Sequence, residues 1–221
     1  MQELKAIAKN FINLFYPLHC PGCSKQLDPL DDRGLCAHCV ASIKPNAMPP
    51  FELETPAIMA YSACLYEGTL KELIHGFKYR GRVALSKIFI GIMTDYMKEN
   101  PELKAAGVVT CVPLHRSRMR EREFNQSMSI ARGIAKELAL SAKDTLEKTK
   151  RTNYQNELTK SERLTNLKGA FRVRDNAGIE GKSVLLIDDV MTTGATLNEC
   201  GAALLSGGAD SVTCFTLARG I

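Results

Sequence analysis

The run Val184-Leu185-Leu186-Ile187-Asp188-Asp189-Val190-Met191-Thr192-Thr193-Gly194-Ala195-Thr196 constrains the fold of this chain more than any other segment. Its apolar start reads as a parallel strand buried on both faces, because covering helices remove the usual polar alternation. The strand is expected to end in two adjacent carboxylates, followed by a short Thr/Gly loop. A helix then follows, with Leu197, Cys200, Gly201, Leu204 and Leu205 in its apolar pattern. A strand that feeds a Gly-containing loop at a helix N-terminus makes an anion cradle, since backbone N–H groups and the helix dipole converge there. Three threonine hydroxyls add donors, and Gly194 opens backbone conformations closed to other residues. Carboxylates beside such a cradle suit a sugar phosphate with free hydroxyls and a divalent cation. An ordinary strand–turn–helix with acidic residues at its turn is the alternative.

A second array lies near the start. Cys20-Pro-Gly-Cys23 and Cys36-Ala-His-Cys39 form two C-x2-C pairs with twelve residues between them. Four thiolates make a closed tetrahedral Zn²⁺ site, with Pro21-Gly22 and Ala37-His38 as knuckle residues. A segment this short buries little core, so the metal would supply most of its folding free energy. Two disulfides are the alternative, disfavoured because no secretion signal directs the chain to an oxidising compartment. Cys64, Cys111, Cys200 and Cys214 sit in apolar patterns and are expected in the core, not as nucleophiles.

The 221 residues suffice for one α/β domain and a small appendage, and 45% hydrophobic with 24% charged residues is a globular composition. The apolar stretches are too short for a membrane span, so a cytoplasmic protein is expected, as monomer or homodimer. The net charge of +5 is unevenly placed: residues 1–57 hold five basic and six acidic side chains, whereas Lys148 to Arg174 holds eight Lys/Arg against two Glu. Leu4, Ile7, Ala8, Phe11, Ile12, Leu14 and Phe15 share one face of an N-terminal helix, expected to dock on its own protein or a partner subunit. Reversible membrane association is the other use of such a face. A Pro-rich linker, Lys44-Pro-Asn-Ala-Met-Pro-Pro50, divides an N-terminal module (1–50) from the main domain (51–221). Beyond it the pattern predicts a strand near 58–66, helices near 69–78 and 83–98, a β-rich run over 107–112 and a helix from Asn125. Strands at 183–188 and 211–217 bracket the last helix. Strands alternating with helices imply a mostly parallel sheet with ligands at its carboxyl edge.

The segment Asp188 to Thr196 resembles the 5-phosphoribosyl-1-pyrophosphate (PRPP) motif of the type I phosphoribosyltransferases. That likeness implies their fold, a mostly parallel sheet flanked by helices, here with a small four-cysteine zinc module. It gives Asp188 and Asp189 the ribose hydroxyls, directly or near Mg²⁺, and Thr192, Thr193, Gly194, Ala195 and Thr196 the 5′-phosphate. A strand runs out at Pro113 and is followed by arginines 116, 118, 120 and 122 at every second position, suited to bidentate contact with phosphate oxygens. The equivalent loop in the resembled fold holds pyrophosphate, a role that falls here to Leu114, His115, Arg116 and Arg118. Arg116 would join Asp188 and Asp189 in catalysis by neutralising the leaving group.

The basic stretch from Lys148 to Lys168 lacks a clear period and corresponds to the hood that closes over the reaction centre, with Arg151, Gln155 and Arg163 in the pattern. Together with Phe77-Lys-Tyr-Arg-Gly81 and Phe124-Asn-Gln126, these pieces are similar in order to the ComF/GntX family, competence-associated phosphoribosyltransferase-like proteins. The resemblance implies PRPP binding with Mg²⁺, one structural Zn²⁺, and handling of single-stranded DNA with the competence machinery. A catalytically active transferase on an unidentified acceptor, in nucleotide metabolism or salvage, is the alternative. Glu123 stands where the family pattern has Gly. Thr192 stands where some type I enzymes carry a carboxylate base on the purine. Of the aromatics near basic residues, Phe77, Tyr79, Phe124 and Tyr154 are the candidates for base stacking.

Overall fold

A computed structural model describes residues 17–28, 34–114, 125–149 and 167–220. The N-terminal amphipathic segment, His115 to Phe124, and 150–166 therefore lie outside the described residues. After α1 (Ala37–Ala41) come β1 (Phe51–Glu52), β2 (Ile58–Leu65), α2 (Gly68–Tyr79) and α3 (Leu85–Glu99). A 3-10 turn (Pro101–Lys104) leads to β3 (Val108–Cys111), then α4 (Gln126–Glu137), β4 (Leu146–Lys148) and β5 (Phe171–Val173). β6 (Ser183–Met191), α5 (Ala195–Ser206) and β7 (Ser211–Arg219) complete the order.

Five strands form one sheet in the order β1-β2-β7-β6-β3. All pairings are parallel except β1 with β2. The acid-tipped strand β6 is thus interior, with Val184 opposite Val212 on one side and Val108 on the other. From Val184 to Ile187 its residues alternate between two cores, as a period of two requires. Leu185 and Ile187 join Tyr61, Val109, Phe215 and Leu217 under α2, α3 and α4. Val184 and Leu186 join Ile58, Val108, Val212 and Cys214 under α5 and the β4–β5 pair. Phe77, Phe89 and Phe215 are fully buried in the first core. Each such burial contributes about 1.5–3 kcal/mol.

Three features depart from the sequence reading. β6 continues through Asp188 and Asp189 to Met191, because Asp188 pairs with Thr216 and Val190 with Ala218 along β7. The carboxylates therefore sit on regular strand backbone, and the loop shrinks to Thr192–Gly194. A second sheet, β4–β5, brackets the basic stretch: Leu146 opposes Val173 and Lys148 opposes Phe171. Phe77 packs edge-on against Phe89 at 5.3 Å between ring centres inside the core, so it is no stacking platform. Tyr79 remains 61% exposed, while Phe124 and Tyr154 lie outside the described residues.

The four-cysteine segment is continuous with the first core. Cys20, Leu27, Leu35 and Cys39 belong to the same apolar cluster as Leu70 and Leu73 of α2. The Pro-rich linker runs along β2: Asn46 N donates to Ala63 O at 2.9 Å, and Leu65 N donates to Lys44 O at 2.9 Å. Among the described residues no helix is long and apolar enough to cross a membrane.

Helices α3 and α4 meet at Gly133, where an added Cβ would lie 2.5 Å from Ile90 Cγ1. Alanine favours a helix over glycine by about 1 kcal/mol, but overpacking costs about 1–3 kcal/mol. Gly133→Ala is therefore expected to lower the urea midpoint despite its better helix propensity.

Candidate functional site

The carboxyl edge of the sheet brings Asp188 and Asp189 together with the loop that follows β6. Gly194 caps α5 at φ +80°, in the left-handed region. A Cβ there would also stand 2.9 Å from Leu53 Cδ2, so two constraints select glycine. The Gly194 carbonyl accepts from Asn198 N at 2.8 Å, and Thr193 Oγ1 accepts from Ala195 N at 3.4 Å. Asn198 Oδ1 in turn accepts from Thr55 N at 2.7 Å, tying the β1–β2 turn to the helix. Gly220 N donates to Met191 O at 2.7 Å behind the loop. The result is a fixed bend whose helix carries no acidic residue in its first turn. It can accept an anion at its N-terminus.

Each carboxylate has its own partner from a different helix. Asp188 Oδ1 accepts from Ser127 Oγ at 2.8 Å and from Asp189 N at 2.9 Å. Asp189 Oδ1 lies 2.8 Å from Lys78 Nζ, with side-chain exposures of only 9% and 18%. Ser127 stands there because Asn125 caps α4, its Oδ1 accepting from Ser127 N and Met128 N. Asn125 Nδ2 also donates to Val112 O at 3.2 Å, fastening the start of α4 to the end of β3. That bond holds Val112 and Asn125 together beside β6, since Val112 N donates to Ile187 O at 3.0 Å.

The electrostatics follow from this crowding. Burial, with Asp189 adding to it, pushes the Asp188 carboxyl up to about 7 from 3.8, against the opposing pull of Lys78, the Ser127 hydroxyl and the Asp189 amide. Burial also raises the phenol of half-buried Tyr66; the Lys78 ammonium opposes the rise and the Asp189 carboxylate adds to it. Burial raises the thiols of Cys64, Cys111, Cys200 and Cys214, in keeping with inert core positions.

Of the residues expected for pyrophosphate, Leu114 is described and follows β3 half-buried; His115, Arg116 and Arg118 lie outside the described residues. So do the hood residues Arg151, Gln155 and Arg163. The stem that carries 150–166 is described. Thr149 N donates to Ala170 O at 2.9 Å, and Gly169 N donates to Glu199 Oε2 at 3.0 Å, which fastens the stem to α5. Lys148, at the root, stands 5.4 Å from the centre of the Phe171 ring.

The four sulfurs of Cys20, Cys23, Cys36 and Cys39 all lie within 4.8 Å of one another, and Cys23 Sγ is 3.5 Å from Cys36 Sγ. Tetrahedral thiolates at a zinc-like bond length of ~2.3 Å stand roughly 3.8 Å apart. The set therefore fits a metal ion, and all eight cysteines are free of disulfides. Burial raises the Cys20 thiol, but backbone N–H groups of Cys36, Cys23 and Gly22 and the Cys36 side chain outweigh it and hold the group at about 6. One knuckle is a tight turn in which Ser24 N donates to Cys20 O at 2.8 Å. The other opens α1, with Cys36 at its cap and Cys39 buried.

Lys78 and Ser127 are the site residues that sequence reasoning left without a role. The available signal was positional: Lys78 lies inside Phe77-Lys-Tyr-Arg-Gly81, and Ser127 directly follows Phe124-Asn-Gln126.

Residues 125–221 match the family model described as "Phosphoribosyl transferase domain". The chain is 29% identical over 209 residues to "Competence protein ComFC" of Streptococcus pneumoniae, covering 86% of this chain and 89% of that one. It is 27% identical over 208 residues to "DNA utilization protein YhgH" of Escherichia coli, covering 90% and 89%. Over most of its length the chain is thus similar to ComF-type competence and DNA-utilisation proteins. Among solved structures, the orotate phosphoribosyltransferase of Aeropyrum pernix aligns over 81% of this chain and 76% of its own, with TM-score 0.40 and 15% identity. The five-stranded sheet, with the acid pair and its loop at the carboxyl edge, is the type I phosphoribosyltransferase fold.

Asp188→Asn keeps an acceptor for Ser127 Oγ and for the Asp189 amide but cannot ionise. A raised carboxyl pKa gives stability that is complete below its unfolded value and lost as pH rises through the folded one. The variant is therefore expected to gain on the wild type between pH 4 and 7, reaching on the order of 2–4 kcal/mol and levelling off above. Urea denaturation at pH 4, 6 and 8 reads the difference; a gap independent of pH would place the ionisation elsewhere.

Proposed function

We propose that this chain binds PRPP with Mg²⁺ at the carboxyl edge of β6, carries one structural Zn²⁺ on its four cysteines, and serves in DNA uptake by handling single-stranded DNA. The observation that carries the reading is the acid pair on strand backbone directly before a glycine-capped helix N-terminus. Asp188 and Asp189 would accept from the ribose hydroxyls, and Thr192 to Thr196 would hold the 5′-phosphate with hydroxyl and backbone donors. The diphosphate would lie toward Leu114, His115, Arg116 and Arg118, on the segment that leaves β3 beside β6. Arg151, Gln155 and Arg163, carried on the β4–β5 stem, would close over it and exclude water. Mg²⁺ bound with the diphosphate would supply charge neutralisation there.

The DNA role rests on the names of the relatives, "Competence protein ComFC" and "DNA utilization protein YhgH", and on the basic character of the chain. Arginines that recognise a diphosphate are equally suited to a phosphate backbone. Exposed Tyr79, next to Arg80 at the end of α2, offers a face for a base. A cytoplasmic site of action accords with free thiols and a zinc tetrathiolate.

A second reading, transfer of the ribosyl group to an acceptor, has one observation in its favour. A carboxyl held at about 7 can move a proton at neutral pH, and Asp188 is such a group. The bond from the anomeric carbon to pyrophosphate would break as the acceptor bonds to that carbon. Asp188 and Asp189 would steady the ribose, Arg116 would neutralise the departing diphosphate, and the acceptor's proton would pass to Asp188.

Calorimetric titration of PRPP with Mg²⁺ is expected to show binding that Asp188→Ala/Asp189→Ala abolishes; unchanged affinity in the double variant would remove the site from this edge. Pyrophosphate release stimulated by one acceptor among many would establish turnover. Elemental analysis is expected to give zinc near one per chain, lost in Cys20→Ser. Gly22→Ala should weaken zinc retention against a chelator, because the new Cβ would stand 2.9 Å from Cys39 Sγ.

A further inference from the structure

Helix α2 is gripped at both ends by the four-cysteine segment. At its start, Thr69 Oγ1 lies 2.7 Å from Ser42 Oγ. Ser42 Oγ also donates to the Cys39 carbonyl at 2.8 Å, one step from a metal-ligating sulfur. Just beyond its end, Arg82 Nη1 donates to the carbonyl of Pro21 at 3.1 Å, and Pro21 is the knuckle residue after Cys20. Arg82 Cδ folds back to 3.4 Å from the Cβ position of Gly76, so the side chain lies along the helix it secures. Gly22 completes the contact, its Cβ position 3.2 Å from Thr69 Cγ2. The apolar face of α2 (Leu70, Leu73, Ile74 and Phe77, all buried) sets its depth on the sheet. The two polar grips set its rotation and its position along its axis.

The same helix carries Lys78, whose ammonium reaches Asp189 at 2.8 Å in a nearly water-free setting. A charge-assisted bond of that length is lost by a displacement of about 1 Å, and its partner would then be a buried carboxylate without its cation. Lys78 sits nine residues from Thr69, roughly 13 Å along the axis at 1.5 Å per residue. Small changes where the module holds α2 therefore arrive at the acid pair.

We propose that α2 couples the four-cysteine module to the phosphoribosyl site: metal binding orders Pro21 and Ser42, these fix α2, and α2 holds Lys78 on Asp189. Lys78 is thus a positioning residue for the acid pair. In its effect on PRPP this inference rests on the function proposed above; in its mechanical part it does not.

Two measurements on the full chain test it. Arg82→Ala/Ser42→Ala releases both grips while leaving every cysteine in place. With zinc still near one per chain, it is expected to speed amide exchange across α2 but not α5. PRPP affinity with Mg²⁺ should fall roughly tenfold, the middle of the range for coupled sites. Arg82→Lys, which can still donate to the Pro21 carbonyl, should restore most of the affinity. Lys78→Met should bind PRPP weakly, and adding the double grip change to it should cost nothing further. Wild-type exchange and affinity in the zinc-loaded grip variant would overturn the proposal, as would full additivity with Lys78→Met. Should the wild type itself fail to bind PRPP, the ligand assignment falls and exchange alone decides the coupling. Removing zinc by chelation would then have to loosen α2 ahead of α5, and equal protection of α2 with and without metal would sink it.

Discussion

Two adjacent carboxylates at the end of an interior strand are an electrostatic problem that the surrounding structure must solve. Side by side and largely out of water they repel one another, and each loses hydration that only a cation or hydrogen-bond donor replaces. Lys78 from α2 answers Asp189, and Ser127 from α4 answers Asp188. The places of both helices follow from that need. α2 must end where its ammonium can cross to β6, and α4 must start where its first-turn hydroxyl can reach the same strand. Asn125 serves both ends of this arrangement, capping α4 and holding the carbonyl of Val112 at the tip of β3.

The sheet's apolar interior was readable because burial on both faces leaves a continuous run such as Val184–Ile187, and few other structures tolerate one. The helices over 69–78, 83–98 and from Asn125 were readable from their period and, for the last, from an Asn cap. What escaped were elements defined by partners distant in sequence. β1 has two residues and exists through its antiparallel pairing with Ala60 and Met59. β4 and β5 have three each and find one another across more than twenty residues, so their local sequence carries almost no period. The extension of β6 through its acids escaped for a related reason, since two aspartates read as a terminus when the supporting pairing with Thr216 and Ala218 is not in view. Within the site, the carboxylates, the Thr/Gly loop and the cysteine quartet are chemistry written contiguously. Lys78 is not: it lies 111 positions from Asp189, and only the fold makes them neighbours.

The four-cysteine segment and the β4–β5 stem share a dependence on the main domain. Neither is long enough to bury a core of its own. The cysteine segment borrows apolar contacts from α2 and hydrogen bonds from the edge of β2, and it returns a fixed frame for α2. The stem borrows α5, through Glu199 on the Gly169 amide and through Val173 against Gly207, where an added Cβ would lie 2.6 Å from Val173 Cγ2. Both appendages are thus fastened to helices that reach the acid pair or begin at the loop that follows it.

A fold built for stability alone would not place charges at the end of β6. Replacing a buried ion pair by packed apolar side chains of like volume is often neutral or stabilising, whereas removing one partner costs about 3–5 kcal/mol. The Lys78–Asp189 pair and the carboxyl of Asp188, raised to about 7, therefore mark a place where the protein gives up folding free energy. The surrounding strand follows the opposite rule, apolar at each position from Val184 to Ile187. A local breach of an otherwise consistent pattern is where a binding site is expected. Here the breach stands directly before a glycine-capped helix N-terminus, a positive pole beside negative groups. That juxtaposition suits a ligand with hydroxyls at one end and a phosphate at the other, because each then meets the sign of charge that holds it.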